Sequence, residues 1–199
     1  MTNIDSKTLG NSYTYAEFRS YVTNALANNP AELNLSEEYI PYAELNETRL
    51  KRLDKTMKVE EDVKQKLQQL KGEYLWLVIS ESWCGDAAQI VPVLNKMAEE
   101  CNNIELKLVF RDQNLELMDA FLTNGGRAIP KLIIAKKDTK EIIGHWGPRP
   151  VLAQKVVTDY KEAHGVVDEN GKTELQMWYI KDKGHEVQKE VIALMTSFE

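Results

Sequence analysis

The segment that decides the fold begins with Tyr74-Leu-Trp-Leu-Val-Ile-Ser80, which is apolar up to its last residue. Such a run is typical of a strand buried on both faces. Trp83-Cys-Gly-Asp-Ala-Ala88 then interrupts the apolar pattern, and residues 104–110 alternate as a second strand. Between them, apolar side chains recur at helical spacing, at Ile90, Leu94, Met97 and Cys101. A strand, a helix and a strand in this order predict a βαβ unit with parallel strands.

The rest of the chain divides around this unit. Residues 131–135 and 141–146 form two predicted strands joined by a tight turn, so they run antiparallel, and a helix begins at Pro150. Residues before Gly72 follow helical spacing and contain a capping box, Thr14-Tyr-Ala-Glu17. The sequence therefore predicts an α/β core over residues 73–165. A helical extension over residues 1–72 precedes this core, and a helical segment over residues 166–199 packs on it.

Composition excludes several classes of function. The 199 residues carry a net charge of −6, which disfavours nucleic acid and anionic membranes as partners. The longest apolar run is far shorter than the roughly 20 residues of a membrane helix. The N-terminus has neither a basic flank nor an apolar region of a signal peptide. With only two cysteines, a reducing cytoplasm is the expected compartment.

Metal and cofactor chemistry has no support in the sequence. The three histidines are scattered among polar residues, and no Cys/His pair has the spacing of zinc ligands. No glycine-rich phosphate loop and no Gly-x-Ser-x-Gly elbow occurs. We therefore expect neither a metal nor a bound cofactor.

Two separated motifs resemble the thioredoxin family. Trp83-Cys84-Gly85 lies between the first strand and its helix, and Ile129-Pro130 lies directly before the third predicted strand. The resemblance covers Glu73 to about His164 and is closest to bacterial proteins with a Trp-Cys-Gly-Asp site and added terminal helices. It implies a mixed sheet flanked by helices and a cis peptide at Pro130 beside the active cysteine. It also implies that the backbone of the Pro130 loop holds a substrate as an added strand.

The chain departs from this family at one position that matters chemically. Ala87 stands where a dithiol oxidoreductase has the second cysteine, which releases the product from a mixed disulfide. Cys101 lies about 25 Å further along what reads as a single helix, whereas a disulfide needs Cα atoms within about 7 Å. The apolar stripe on which Cys101 falls predicts a role in core packing.

Cys84 is the candidate nucleophile because it begins a helix. Unpaired backbone N–H groups at that end favour a thiolate and lower the pKa of a cysteine. The carboxylate of Asp86 in the same turn works against this. Arg111, at the end of the parallel strand, and Arg127, on the loop before Pro130, are the cations predicted to compensate.

These residues lead to two functions of different classes. The first is a monothiol thiol–disulfide oxidoreductase in which Cys84 attacks a disulfide-bearing protein or accepts a small thiol such as glutathione. An external thiol would then release the product from Cys84. A related role, in which Cys84 reduces peroxide or senses oxidants, also requires a low pKa of this thiol. The second is a non-catalytic thioredoxin-like binding module that uses the groove around Cys84 for a partner. The supporting residues predicted for either function are Trp83, Gly85, Asp86, Ala87, Ile129, Pro130, Arg111 and Arg127.

Overall fold

One mixed β-sheet lies at the centre of the computed structural model, which describes residues 2–199. Its strands are β1 (Tyr74–Ser80), β2 (Ile104–Phe110), β3 (Lys131–Lys136) and β4 (Ile142–Trp146). The order across the sheet is β2-β1-β3-β4, with β1 parallel to β2 and antiparallel to β3, and β4 antiparallel to β3. Every residue of β1 is buried, as its continuous apolar pattern predicts. The predicted α/β class and mixed sheet are therefore confirmed.

Strand register brings three loops to one edge of this sheet. Ser80 at the end of β1 lies opposite Phe110 at the end of β2, and Ile79 lies opposite Lys131 at the start of β3. The loops after β1 and β2 and the loop before β3 therefore meet. Cys84 follows β1, so it lies at this edge together with the loop after β2 and the loop before β3.

Nine α-helices surround the sheet within residues 2–199. In chain order they are α1 (Ser6–Gly10), α2 (Tyr15–Asn28), α3 (Ile40–Thr56), α4 (Glu61–Gln68), α5 (Gly85–Glu99), α6 (Leu115–Asp119), α7 (Val151–His164), α8 (Glu169–Asp182) and α9 (His185–Thr196). Helix α5 packs against β2, and both α3 and α9 pack on α5, whereas α8 packs on α7. No helix of the described residues is both long enough and apolar enough to cross a membrane.

Several local features follow the sequence pattern and others correct it. Thr14 and Glu17 form the predicted capping box at the start of α2. In the sequence, Leu45 falls at helical spacing with Leu50, Leu53 and Met57, which predicts one apolar stripe. Leu45 is nevertheless 48% exposed, because the buried face of α3 is formed by Ala43, Asn46, Glu47 and Leu50. Residues 168–171 read as a turn in the sequence, but Asp168 instead caps α8 by accepting from the Gly171 N–H.

Residues near the N-terminus reach both outer strands of the sheet. Tyr13 exchanges two backbone hydrogen bonds with Leu108 of β2, with N–O distances of 2.8 and 2.7 Å. At the opposite edge, Ile142 of β4 donates to the Thr2 carbonyl at 2.8 Å. Both exposed sheet edges are thus partly paired by the same short segment, which limits edge-to-edge association.

Candidate active site around Cys84

Cys84 caps the N-terminus of α5, as the sequence predicts, and lies inside the protein. Its Sγ accepts from the Ala87 backbone N–H at 3.5 Å and donates to the Ile129 carbonyl at 3.4 Å. The residue is only 7% exposed. The Ile129–Pro130 peptide is cis. The structure therefore brings Cys84, Ala87, Ile129 and Pro130 together.

The protonation state of Cys84 differs from the expectation of a stabilised thiolate. Burial, followed by the negative charge of Asp86, raises the pKa of the Cys84 thiol to about 12. The Ala87 N–H at the helix N-terminus and the guanidinium of Arg149 act in the opposite direction, but their effect is smaller. The sequence analysis correctly predicted that the N–H groups at the helix end lower the pKa of Cys84. The prediction of a lowered pKa was wrong because the sequence does not show how deeply the sulfur is buried.

Asp86 is held by two residues that the sequence reasoning missed. Its carboxylate pairs with Arg149 at 2.7 Å and accepts from the Tyr179 hydroxyl at 2.8 Å. The Asp86 side chain is 9% exposed and that of Arg149 is 25% exposed, so the pair is largely removed from solvent. Arg149 lies on the loop between β4 and α7, and Tyr179 lies on α8. In the sequence, Trp146-Gly-Pro-Arg-Pro150 follows the last strand and reads as a turn first and a binding lip second, and its arginine is the signal that could have identified this ion pair.

The two helical additions cover the first turn of α5. A side chain at Gly85 would meet Gln176 Nε2 of α8 at 3.4 Å and Arg49 Nη1 of α3 at 3.5 Å. Gln176 also accepts from Gln89 of α5 at 2.8 Å. Asn46 of α3 donates to the Ser82 carbonyl at 2.9 Å. The N-terminal and C-terminal helices therefore form a cover over the first turn of α5, next to Cys84.

Trp83 lies in a stack next to the cysteine. Its ring stacks on Tyr39 with centroids 4.8 Å apart, and the guanidinium of Arg111 lies 5.0 Å from the Trp83 centroid. Both distances are in the range of favourable aromatic and cation–π contacts. Arg111 also donates to the Arg127 carbonyl at 3.4 Å. Arg111 thus connects Trp83 with the loop that leads to Pro130.

Neither arginine predicted from the sequence is the cation that acts on the cysteine. The Arg111 guanidinium pairs with Asp112 at 2.8 Å, and that of Arg127 pairs with Asp119 at 2.6 Å on the surface. The cation that lowers the pKa of Cys84 is Arg149. The topology placed Arg111 and Arg127 at the correct edge of the sheet, but both are neutralised by nearby carboxylates.

No second thiol accompanies Cys84 in the site. Ala87 occupies the first turn of α5, and both cysteines of the chain are free. Cys101 lies two residues beyond the end of α5 and belongs to the hydrophobic core, as predicted. A thiol that could resolve a mixed disulfide from within the chain is therefore absent from the first turn of α5.

A buried lysine fixes the loops that frame the site. Lys131 is 2% exposed, and its Nζ donates to Thr123 Oγ1 at 2.7 Å and to the Gly147 carbonyl at 2.9 Å. Gly147 has φ +107°, and a Cβ there would lie 2.5 Å from the Pro130 carbonyl oxygen. Only glycine permits this backbone conformation together with so close an approach. The loop after β4 and the Pro130 loop therefore pack directly on each other.

Glu81 is a buried carboxyl group next to the site. It is 4% exposed, and its Oε1 accepts from the Asp112 N–H at 2.9 Å. Burial raises the pKa of Glu81 from 4.5 to about 7, although the hydrogen bond from Asp112 opposes this. The folded protein thus holds this proton more tightly than the unfolded chain does. The contribution of Glu81 to the free energy of unfolding is fully present below about pH 4.5 and is lost as pH rises through about 7.

Glu81→Gln should flatten the pH dependence of stability across this range. Glutamine keeps an acceptor for the Asp112 N–H but cannot ionise, so the variant should avoid a loss of about 1–3 kcal/mol between pH 5 and pH 8. Urea unfolding followed by tryptophan fluorescence at both pH values measures the difference. If the variant shows the same decrease as the parent, Glu81 is not the group that titrates.

Fold and site together define a class of protein. A mixed sheet in the order β2-β1-β3-β4, with a Trp-Cys-Gly turn at the end of β1 facing a proline loop before β3, is a thioredoxin-type arrangement. The family model Thioredoxin_9, described as "Thioredoxin", matches residues 33–161. The chain belongs to this family.

The solved structures that are similar share the fold and reveal no activity. A crystal structure of a protein of unknown function from Pseudomonas aeruginosa is 16% identical, with a TM-score of 0.58. An HIV epitope scaffold is also 16% identical, with a TM-score of 0.54. Each alignment covers 94% of this chain and 99% of the other. No curated protein matches the chain.

Proposed function

We propose that this chain is a thioredoxin-family binding module in which Cys84 is a buried structural thiol and not a nucleophile. One observation carries the proposal: the Cys84 Sγ is enclosed and donates a hydrogen bond to the Ile129 carbonyl. Burial of the sulfur disfavours its charged form, whereas the attacking species in thiol chemistry is the thiolate. In this state the sulfur ties the Pro130 loop to the start of α5.

The charges around the sulfur support the same proposal. Asp86 lies two residues from Cys84, and its negative charge disfavours a second anion nearby. Arg149, the cation that favours a thiolate, is already paired with Asp86. The positive charge of Arg149 therefore stabilises mainly the Asp86 carboxylate, and a thiolate at Cys84 gains less from it.

The surface next to the covered cysteine supplies the binding region of this proposal. Tyr39 is 38% exposed and stacks on Trp83, and Arg111 lies against the same tryptophan. Aromatic and arginine side chains of this kind are enriched in protein interfaces. The Tyr39–Trp83–Arg111 stack beside the Pro130 loop is thus the surface that a protein partner would contact.

Alkylation of Cys84 tests the proposal. In a Cys101→Ser variant, iodoacetamide at pH 8 should label the native protein at least about 100-fold more slowly than the same chain in urea, because the native thiol is both buried and protonated. A Cys84→Ser variant is the matched control and reports the protection of Cys101 alone. Native labelling of Cys84 as fast as in urea would contradict the proposal.

A second candidate, monothiol exchange, is favoured by the contact between Cys84 and the Pro130 loop. If the cover over Gly85 opened, the Ala87 N–H and Arg149 would remain to stabilise a thiolate. That thiolate would attack one sulfur of a protein disulfide, form a mixed disulfide and release the other sulfur as a thiolate. An external thiol such as glutathione would then attack the mixed disulfide and regenerate Cys84, since Ala87 cannot do so.

Ala87→Cys separates the two candidates. The backbone N–H of residue 87 already lies 3.5 Å from the Cys84 Sγ, so a thiol at this position falls within reach of a disulfide. With dithiothreitol as reductant, we expect both the natural chain and the variant to reduce insulin at the background rate, because Cys84 is covered and protonated. Turnover by the variant several-fold above background would favour exchange chemistry and contradict the binding module.

A further inference from the structure

A buried hydroxyl without a protein partner lies two residues before Cys84. Ser82 is 6% exposed, and its Oγ has no hydrogen-bond partner among residues 2–199. Folded proteins satisfy the great majority of buried polar atoms with protein groups or ordered water. We therefore expect the Ser82 hydroxyl to form a hydrogen bond with a molecule from outside the chain.

The same serine lines a small cavity between the N-terminal helices and the cysteine loop. The cavity has a volume of about 20 Å³, and its wall is formed by the end of β1 and by residues of α2, α3 and α5. Three charged side chains, Arg19, Glu47 and Glu81, contribute to this wall. A water molecule requires about 10–15 Å³ and two to four polar partners. Volume and chemistry thus fit one water molecule.

We infer that this cavity is a binding site for one internal water molecule, held by Ser82 Oγ and by the charged side chains of the wall. Apolar cavities of small volume stay dry, but this wall combines an unpartnered hydroxyl with a guanidinium and two carboxyl groups. Binding of this water does not depend on whether Cys84 is reactive, so the inference is independent of the proposed function.

The water site joins the helical extension to the cysteine loop. Asn46 of α3 already holds the main-chain carbonyl of Ser82 at 2.9 Å. The water adds a second connection, from the Ser82 side chain to the wall that Arg19 of α2 and Glu47 of α3 help to form. Arg19 and Glu47 are paired at 3.0 Å, which fixes α2 and α3 relative to each other. The contact between extension and cysteine loop is therefore polar and hydrated.

Two measurements on the full chain test the site. A crystal structure at about 1.5 Å resolution or better should show water density within hydrogen-bond distance of Ser82 Oγ. Water–protein cross-relaxation in NMR should show a long-lived water next to the Ser82 amide. Ser82→Ala should abolish this signal, whereas Ser12→Ala, which removes a hydroxyl bonded to the Leu9 carbonyl, should leave it unchanged. Absence of the density, or a signal that survives Ser82→Ala, would overturn the inference.

A cavity-filling variant provides an independent test should Ser82→Ala fold poorly. Val91→Ile adds a methylene to the wall of the cavity. If water occupies the site, the variant displaces it, leaves Ser82 Oγ unpaired and lowers the urea midpoint. If the cavity is dry, the added methylene improves packing and raises the midpoint, which would contradict the inference.

Discussion

Asp86→Asn should increase the alkylation rate of Cys84 about tenfold near pH 8. After burial, the charge of Asp86 is the largest factor that raises the pKa of this thiol, and Arg149 acts in the opposite direction. Asparagine keeps the shape of the side chain and an acceptor for Tyr179, so the substitution removes mainly the negative charge. A decrease of one pH unit in the pKa of Cys84 corresponds to a tenfold larger thiolate fraction.

The measurement is iodoacetamide labelling in a Cys101→Ser background, with Asp119→Asn as the matched control. Asp119 is also a carboxylate paired with an arginine, but it lies on the surface with Arg127. Its neutralisation should leave the labelling of Cys84 unchanged. If Asp86→Asn labels no faster than the parent, burial alone controls the thiol and the electrostatic part of the account is wrong.

Arg149→Met should lower the free energy of unfolding by about 2–4 kcal/mol. Removing one partner of a buried ion pair leaves the other charge uncompensated, which costs about 3–5 kcal/mol when burial is complete. The Asp86–Arg149 pair retains some exposure, 9% and 25% for the two side chains, so we expect a somewhat smaller loss. Urea unfolding followed by tryptophan fluorescence measures it.

Arg127→Met is the matched control for this prediction. It breaks the ion pair between Arg127 and Asp119, in which the two side chains are 45% and 47% exposed. Such exposed pairs contribute about 0–1 kcal/mol to the free energy of unfolding. The two variants remove the same chemical group from environments of different burial. Equal losses in both would show that the Asp86–Arg149 pair is not the buried anchor of the first turn of α5.

Much of the fold could be predicted because its signals are local. The apolar run of residues 74–80 predicts a doubly buried strand, and β1 is buried at every position. The Thr14–Glu17 capping box is an interaction within one helical turn and is found as predicted. The exposure of Leu45 could not be predicted from the sequence. It depends on how α3 packs on α5, and the spacing of apolar residues along the chain does not show this.

The site was only partly predictable because its main determinants are distant in sequence. Cys84 at a helix N-terminus and Pro130 near it follow from local pattern and family resemblance. Arg149, Tyr179 and the cover over Gly85 come from segments that meet only in the folded chain. The state of a thiol depends on burial and on such neighbours more than on its own position in a helix. This is why the sequence favours a thiolate, whereas the structure has a buried thiol whose pKa is raised.

The most direct test of this account is an NMR titration of the Cys84 ¹³Cβ chemical shift in the Cys101→Ser variant. The ¹³Cβ shift reports ionisation of the sulfur itself and does not depend on access of a reagent. Because burial and Asp86 raise the pKa of Cys84 to about 12, the shift should stay at its thiol value from pH 6 to pH 10. A titration midpoint at or below about 8.5, the ordinary value for cysteine, would contradict the account.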